Sequence, residues 1–547
     1  STMALTLAAC GGDDDDGSAP QPEQTAQGFR LTTDADTGEE FTGGDGDDSY
    51  DASLAVVSGS EANTLQSADE LDGGEGRDVL NAQMIPTGTI SDTVVGIGPG
   101  VAVAPTIDGI EVVNVEVQSG STDSVNGSAI DAGNTTGVQQ WWSDESRDFL
   151  QLEDIRSATG ETAFGMRETD PGVSYSSFFN ANVVGEDAET TVVLDGAGAG
   201  GKGGIVNVGA MGGDNGIAVF NVAVDGTSDL TGMASFNLDD PFDVLGDFLD
   251  VPVIDLFINN APGNLYLEVV NIENVGEMGD LTVGTAATDE IGNPNESDDR
   301  VEDGLVDVRE VNAGGFTGEL NLGIALTNSD LVDSYFDEGN TDFIYTGGDG
   351  GNTFTFDVAV GITQDPDFSM QVTGGAADDR FNFDGLARKD GVSIDGAGGS
   401  NTVELTTSTG TDTTDGEDVF AAFDGIQTLV VAGGGSTQDV VDGNMLGLEN
   451  ITVATNFFGV NTTLEQLEAG TDLTISGKNQ TAGTGNSDND QSFGTVLIDD
   501  AQGEALSVDL ENTGRSEAVL TVGELEIDTD SAIDELTVNS GGQRDTS

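Results

Sequence analysis

The 547-residue chain contains no histidine. That excludes imidazole acids and bases, Ser-His-Asp triads, histidine-ligated zinc and the zinc-protease helix H-E-x-x-H. Cationic side chains are nearly as scarce: 14 Lys and Arg stand against 101 Asp and Glu, a formal net charge of −87. A field of that sign repels phosphate, so it excludes nucleic acid as a partner and a polybasic contact with anionic lipid. A single cysteine, Cys10, allows no intrachain disulfide. Beyond the first dozen residues, no apolar run approaches the ~18 residues of a membrane-spanning helix.

What is abundant is glycine, with 80 residues, accompanied by much Asp, Asn and Thr. Glycine costs roughly 1 kcal/mol per helical position, and Asp and Asn favour turns, so long helices are not expected. The 24 Phe and many aliphatics still supply a core, unlike a disordered acidic tail. The composition predicts many short strands joined by tight turns, in three or four packing units or one long repetitive one.

Internal repetition is the strongest signal. FTGGDGDDSYDASL (41–54) fits the nonapeptide G-G-x-G-x-D-x-U-x through Gly43, Gly44, Gly46, Asp48 and Tyr50, and LDGGEGRDVLNA (71–82) fits it through Gly73, Gly74, Gly76, Asp78 and Leu80. Three degraded copies follow. YTGGDGGNTFTFD (345–357) has Asn352 in the aspartate position, VTGGAADDRFNFD (372–384) keeps Asp379, and IDGAGGSNTVEL (394–405) has Ala397 and Asn401. The glycines permit a turn with inward carbonyls, the aspartate supplies a hard anionic oxygen, and the apolar residue two places on starts a strand. Calcium, which takes six to eight oxygens in flexible geometry, suits such turns better than magnesium does. The candidate ligands are Asp45, Asp48, Asp78, Asp349, Asn352 and Asp379. The competing reading is a plain Gly-Asp turn, which leads for the degraded copies.

These strings resemble the RTX (repeats in toxin) calcium-binding family. In a standard array the nonapeptides run in tandem with calcium between successive turns. Here the copies start 30, 27 and 22 residues apart within each group, which leaves open whether Asp48 and Asp78 meet at one ion.

The segment STMALTLAACGG resembles the lipobox of bacterial lipoproteins, which implies acylation at Cys10 and removal of residues 1–9 as the remnant of a signal peptide. Gly11 after the cysteine favours the outer membrane, since an aspartate there would suggest inner-membrane retention. Residues 10–28 read as an acidic, self-repelling tether. Asp13 to Asp16 are expected to be solvated charge.

A second repeat comprises DGIEVVNVEV (108–117), FDGIQTLVVA (423–432), LGLENITVA (446–454) and the looser VVNIENV (269–275). Each alternates like a half-buried strand and is read as core structure with no chemistry of its own. The succession of glycine turns and such strands occurs near 43–117 and again near 347–454, with NTTGVQQW (134–141) adding a further element. It resembles the S-layer proteins and related β-repeat surface proteins of Gram-negative bacteria. That resemblance implies an all-β, β-solenoid or β-helix-like repeat architecture with little helix. The expected blocks are 29–180 with the RTX-like turns, a middle β-rich 181–342, and 343–547 with the degraded turns. It also implies calcium as the bound ion, self-assembly into a homo-oligomer, lattice or filament, and a surface polysaccharide as a further partner.

The alternative function is catalysis, as a secreted β-helix lyase or epimerase acting on polysaccharide. Asp170-Pro171-Gly172 reads as a turn, basic residues are scattered apart from Arg388-Lys389, and 101 acidic residues make any carboxylate pair uninformative. The segment ESDDRVEDG (296–304) reads as solvated charge ahead of a loop calcium site. Trp141 and Trp142, adjacent on a strand, are expected on opposite faces, one in the core and one exposed. Residues 240–257 suggest a short helix or hairpin over a solenoid end. No catalytic residue is assigned.

Overall fold

A computed structural model of the chain describes residues 25–86, 88–89, 102–118, 126–198, 201, 203–213, 215–238, 266–276, 278–284, 304–327, 330–339, 341–363, 365, 367–384, 391–407, 422–433, 439–442, 448–455, 458–465, 471–477, 491–499, 505–512, 520–528 and 535–542. The lipobox, most of the tether, the Arg388-Lys389 pair, residues 240–257 and 296–303 lie outside them.

Apolar residues alternate with polar ones over five to eight positions, and the described chain is accordingly mostly strand. The first sheet has fourteen strands, beginning Gly28–Arg30, Ser49–Ala52, Val79–Met84, Val112–Val117, Gln140–Asp144, Ala163–Arg167 and Ala188–Asp195, and ending at Ala422–Asp424. Every neighbouring pair in it is parallel. A second long parallel sheet runs from Asn126–Asp131 to Glu535–Gly542. From Gln140 to Asp424 the chain visits the two sheets by turns, with two short strands in place of one at two visits to the second sheet. Near the N-terminus a small parallel sheet of Glu70–Asp72, Thr106–Asp108 and Thr135–Thr136 adds a third face. After Asp424 the chain alternates between the second sheet and a four-stranded sheet running from Asp439–Asp442 to Leu520–Asp528.

Parallel pairing between successive visits puts like on like. Tyr50, Leu80, Val113, Trp141, Phe164, Val192 and Val222 are register partners in sequence down the first sheet, and all are buried. On the second, Leu322, Phe354, Phe381, Val403, Leu429, Ile451 and Leu473 form the matching row. Between the sheets lies one apolar core continuous from Leu31 to Val508. The ladders run straight across residues 180 and 342, since Ala163–Arg167 pairs with Ala188–Asp195 and Glu310–Asn312 with Asp342–Thr346. Helix is confined, among the described residues, to Asp330–Glu338, Val360–Thr363 and two short 3-10 turns.

The four segments of the second repeat each carry a strand, Val112–Val117, Ile426–Gly433, Asn450–Thr455 and Val269–Asn274, and Asp170 to Val173 is a turn closed by the Val173 N–H on Asp170 O, with Gly172 at φ 79°. The tryptophan pair departs from expectation. Trp141 enters the core, but Trp142, on the outer face, is only 9% exposed. Its ring lies over the bare Cα of its register partner Gly165, and the Arg167 guanidinium sits 4.3 Å from its centroid. The sequence pattern assigned it a face and not what would cover it.

Candidate functional site

The five glycine turns form two ladders, one near each end of the first sheet. In each, the residue at the aspartate position is buried and its side chain bonds the backbone of its own turn, of the preceding rung, or of both. Asp48 accepts from Gly44 N–H on Oδ2 and from Gln27 N–H on Oδ1, both at 2.6 Å. The Asp48 N–H in turn donates to Asp78 Oδ1 at 2.6 Å, across 30 residues of chain. The spacing that left their meeting open is therefore one rung, and the two aspartates are direct neighbours. Beyond them the Asp78 N–H donates to Glu111 Oε2 at 2.7 Å.

The second ladder repeats this order with amides at every position but Asp379. The Asn352 N–H donates to Asp379 Oδ1, and the Asp379 N–H to Asn401 Oδ1, both at 2.8 Å; the Asn401 N–H donates to Gln427 Oε1 at 2.6 Å. Asp379 Oδ2 also accepts from Gly375 N–H at 2.8 Å. The Asn352 carboxamide donates to Gly348 O, Gly350 O and Asp379 Oδ1 at 2.7 to 2.9 Å. A parallel outer row lies one residue earlier, where the Arg77 N–H donates to Asp47 Oδ1 and the Ser400 N–H to Asp378 Oδ1.

Of the six candidate ligands, the structure thus pairs Asp48 with Asp78 and Asn352 with Asp379. Asp45 and Asp349 are exposed at the tips of their turns and take no place in either ladder. Cys10 lies outside the described residues. Glu111, Asn401 and Gln427 complete the ladders. Glu111 and Gln427 occupy the shared acid-or-amide position of DGIE and DGIQ, so the second repeat is not core structure alone: its first polar side chain belongs to the turns.

Glycine is required here by close approach. A Cβ on Gly43 would collide with Gly73 O and Asp48 Oδ2, and one on Gly73 with Gly109 O and Asp78 Oδ2. The carboxylate and the next rung's carbonyl therefore converge on one side of each glycine.

One oxygen stands apart. Asp78 is fully buried, yet its Oδ2 has no hydrogen-bond partner among the described residues. Burial raises the Asp78 pKa, and the charges of Glu111, Asp48 and Asp47 add to the rise against the opposing Asp48 N–H. The same surroundings, burial first and then Asp48, Asp78 and Asp72, push the Tyr50 hydroxyl above its ordinary value; it donates to Asp72 O at 2.5 Å. A buried, unpaired carboxylate oxygen among carbonyls costs several kcal/mol unless a proton or cation meets it. The donors are all hard oxygens, which fits calcium. No group of three or more Cys, Asp or Glu side chains among the described residues could hold a metal by side chains alone, so such a site would be built from Asp78 and backbone carbonyls.

Compared with family models, with curated proteins and with solved structures, the chain matches none.

Proposed function

We propose that the chain winds as a β-solenoid and serves as a calcium-stabilised structural protein of the cell surface. It is anchored through lipid on Cys10 and works in an S-layer-like lattice or as a matrix and adhesion component. The observation that carries the reading is the stacking of acidic turns on successive rungs of long parallel sheets. The rungs at Asp48, Asp78 and Glu111 add carboxylates to the same edge, and with a net charge of −87 the fold accumulates repulsion that a divalent cation offsets. A stack of rungs also presents long, repetitive faces suited to pairing with further copies or with a surface polysaccharide.

Electron microscopy of the purified protein tests this directly. Lattices or filaments are expected in millimolar calcium and should disperse in chelator; monodisperse particles under both conditions overturn the assembly reading. A melting temperature that ignores the same titration overturns the calcium part. Replacement Cys10→Ala should release a folded protein from the membrane fraction, and protease added to intact cells should shave the native one.

A further inference from the structure

The turns around Asp78 and Asn401 are the same turn. Gly74 and Ala397 follow the first glycine with left-handed backbones, φ 86° and 54°, and their N–H groups turn outward to Asp72 Oδ1 and Asp395 Oδ1. Gly73 and Gly396 donate to Asp108 O and Asp424 O at 2.8 Å. Each turn continues into a D-G-I segment whose fourth residue, Glu111 or Gln427, accepts the N–H of Asp78 or Asn401. With that N–H turned outward, the second terminal atom of the ladder side chain lies beside a carbonyl of the next rung in both turns, Gly109 O or Gly425 O. At position 401 that atom is Nδ2, and it donates to Gly396 O, Gly398 O and Gly425 O at 2.7 to 2.8 Å. At position 78 it is an oxygen without a partner, converging with Gly109 O, the counterpart of Gly425 O, over Gly73.

We infer that the Asn401 amide does for the C-terminal turn what a bound cation does for the N-terminal one. The chain carries one cradle in two forms, a cation-dependent form at Asp78 with Gly109 O and an amide-locked form at Asn401 that needs no metal. Asp and Asn have the same shape, so the exchange of one oxygen for NH2 converts an acceptor that repels the carbonyls into a donor that bridges them. Glu111 against Gln427 makes the same exchange beside it, which removes a second negative charge from the amide form. Calcium then orders the N-terminal ladder selectively, and the C-terminal ladder stays closed in its absence. The inference rests on the calcium reading above and sharpens it to one turn.

Hydrogen exchange on the full chain at neutral pH, in chelator and in 5 mM calcium, separates the possibilities. For a site of the ~10⁻⁴ to 10⁻³ M affinity typical of extracellular modules, calcium should slow exchange in residues 73–84 roughly 5- to 50-fold and leave 396–407 unchanged. Asp78→Asn should give slow, calcium-indifferent exchange at 73–84. Asn401→Asp, the reciprocal change, should make 396–407 fast in chelator and calcium-responsive. If Asp78→Asn keeps the full response, or wild-type 396–407 responds as strongly as 73–84, the assignment fails while a calcium-stabilised fold stands. If wild-type protein shows no calcium response anywhere, both fail. Should Asp78→Asn not fold, Asn401→Asp decides alone: no acquired response at 396–407 overturns the equivalence of the two turns.

Discussion

The indole of Trp142 occupies the space that a Cβ of Gly165 would take, with ring atoms Cε3, Cζ3 and Cδ2 all within its collision range. The two residues are register partners on adjacent parallel strands, and the ring is further held by Nε1 donating to Gln140 Oε1 at 3.2 Å and by Arg167 at its face. Arg167 is itself placed by Asp144 and Asp195, at 3.4 and 3.6 Å. Gly165→Ala should therefore expel the ring, at about 1–3 kcal/mol of local stability, as for other overpacked sites. Its emission should shift to the red, and with only two tryptophans in the chain the shift is measurable. Arg167→Ala should cost less, about 0.5–1 kcal/mol. Unchanged emission in Gly165→Ala would show that the ring does not rest on the glycine.

The amide ladder predicts a contrast between neighbours. Asn352→Ala removes three donations, two of them in buried hydrogen bonds, and the acceptor for the Gly348 N–H at 2.8 Å. Each buried group left unpaired costs about 1–3 kcal/mol, so the turn should open, with faster hydrogen exchange over 348–357. Asp349→Ala, three residues earlier and exposed, should stay within about 0.5 kcal/mol of wild type in calcium and in chelator alike. A calcium-dependent loss in Asp349→Ala would return that residue to the ligand set.

The positions of these turns were legible in the sequence, and their partners were not. Glycine pairs and the aspartate five residues on announce the turn because few other residues tolerate that backbone, and alternation announces the strand that follows. Which turns stack depends on how many residues separate successive strands of one sheet. The 30 residues from Asp48 to Asp78 and the 33 from Asp78 to Glu111 are both single steps of the ladder, and no local pattern equates them. Glu111 lies inside a motif whose aliphatic alternation announces only a strand, and the Asp78 N–H that its side chain accepts is 33 residues away. Trp142 shows the same limit: period two gives a residue its face, whereas burial depends on a glycine on the next strand of the sheet and 23 residues on in the chain.

Ala397 provides a stabilising test of the turn geometry. It holds φ 54°, where an L side chain costs roughly 1 kcal/mol and glycine almost nothing. Its counterpart in the N-terminal turn is Gly74. Ala397→Gly should slow local exchange around 396–401 by up to about fivefold, part of the gain being offset by the greater freedom of glycine in the unfolded chain. Faster exchange in this variant would show that position 397 does not hold a left-handed backbone.

Acidity should stabilise the metal-free protein over a limited window, contrary to the usual behaviour of carboxylate-rich folds. Asp69, Asp144, Glu153 and Glu268 are each raised above the ordinary carboxylate range, in every case chiefly by burial. Neighbouring negative charge adds to the rise, from Asp36 at Asp69, from Glu116, Glu168 and Asp195 at Asp144, from Asp131 at Glu153, and from Glu338 and Asp187 at Glu268. Opposing it are the N–H groups of Asp36 and Gln66 at Asp69, Arg167 at Asp144, the Gln151 amide at Glu153 and Arg309 at Glu268. With folded values above unfolded ones, the folded chain binds protons that the unfolded chain has released. Stability therefore increases as pH falls from above the raised values toward the unfolded values of about 4, where the gain is complete. Relief of repulsion among 101 acidic groups acts in the same direction. In chelator at constant ionic strength, the melting temperature should be higher at pH 5 than at pH 7.5, and millimolar calcium at pH 7.5 should narrow the difference. A melting temperature that falls steadily from pH 7.5 to pH 5 would mean that the four buried carboxylates do not govern the pH dependence of stability.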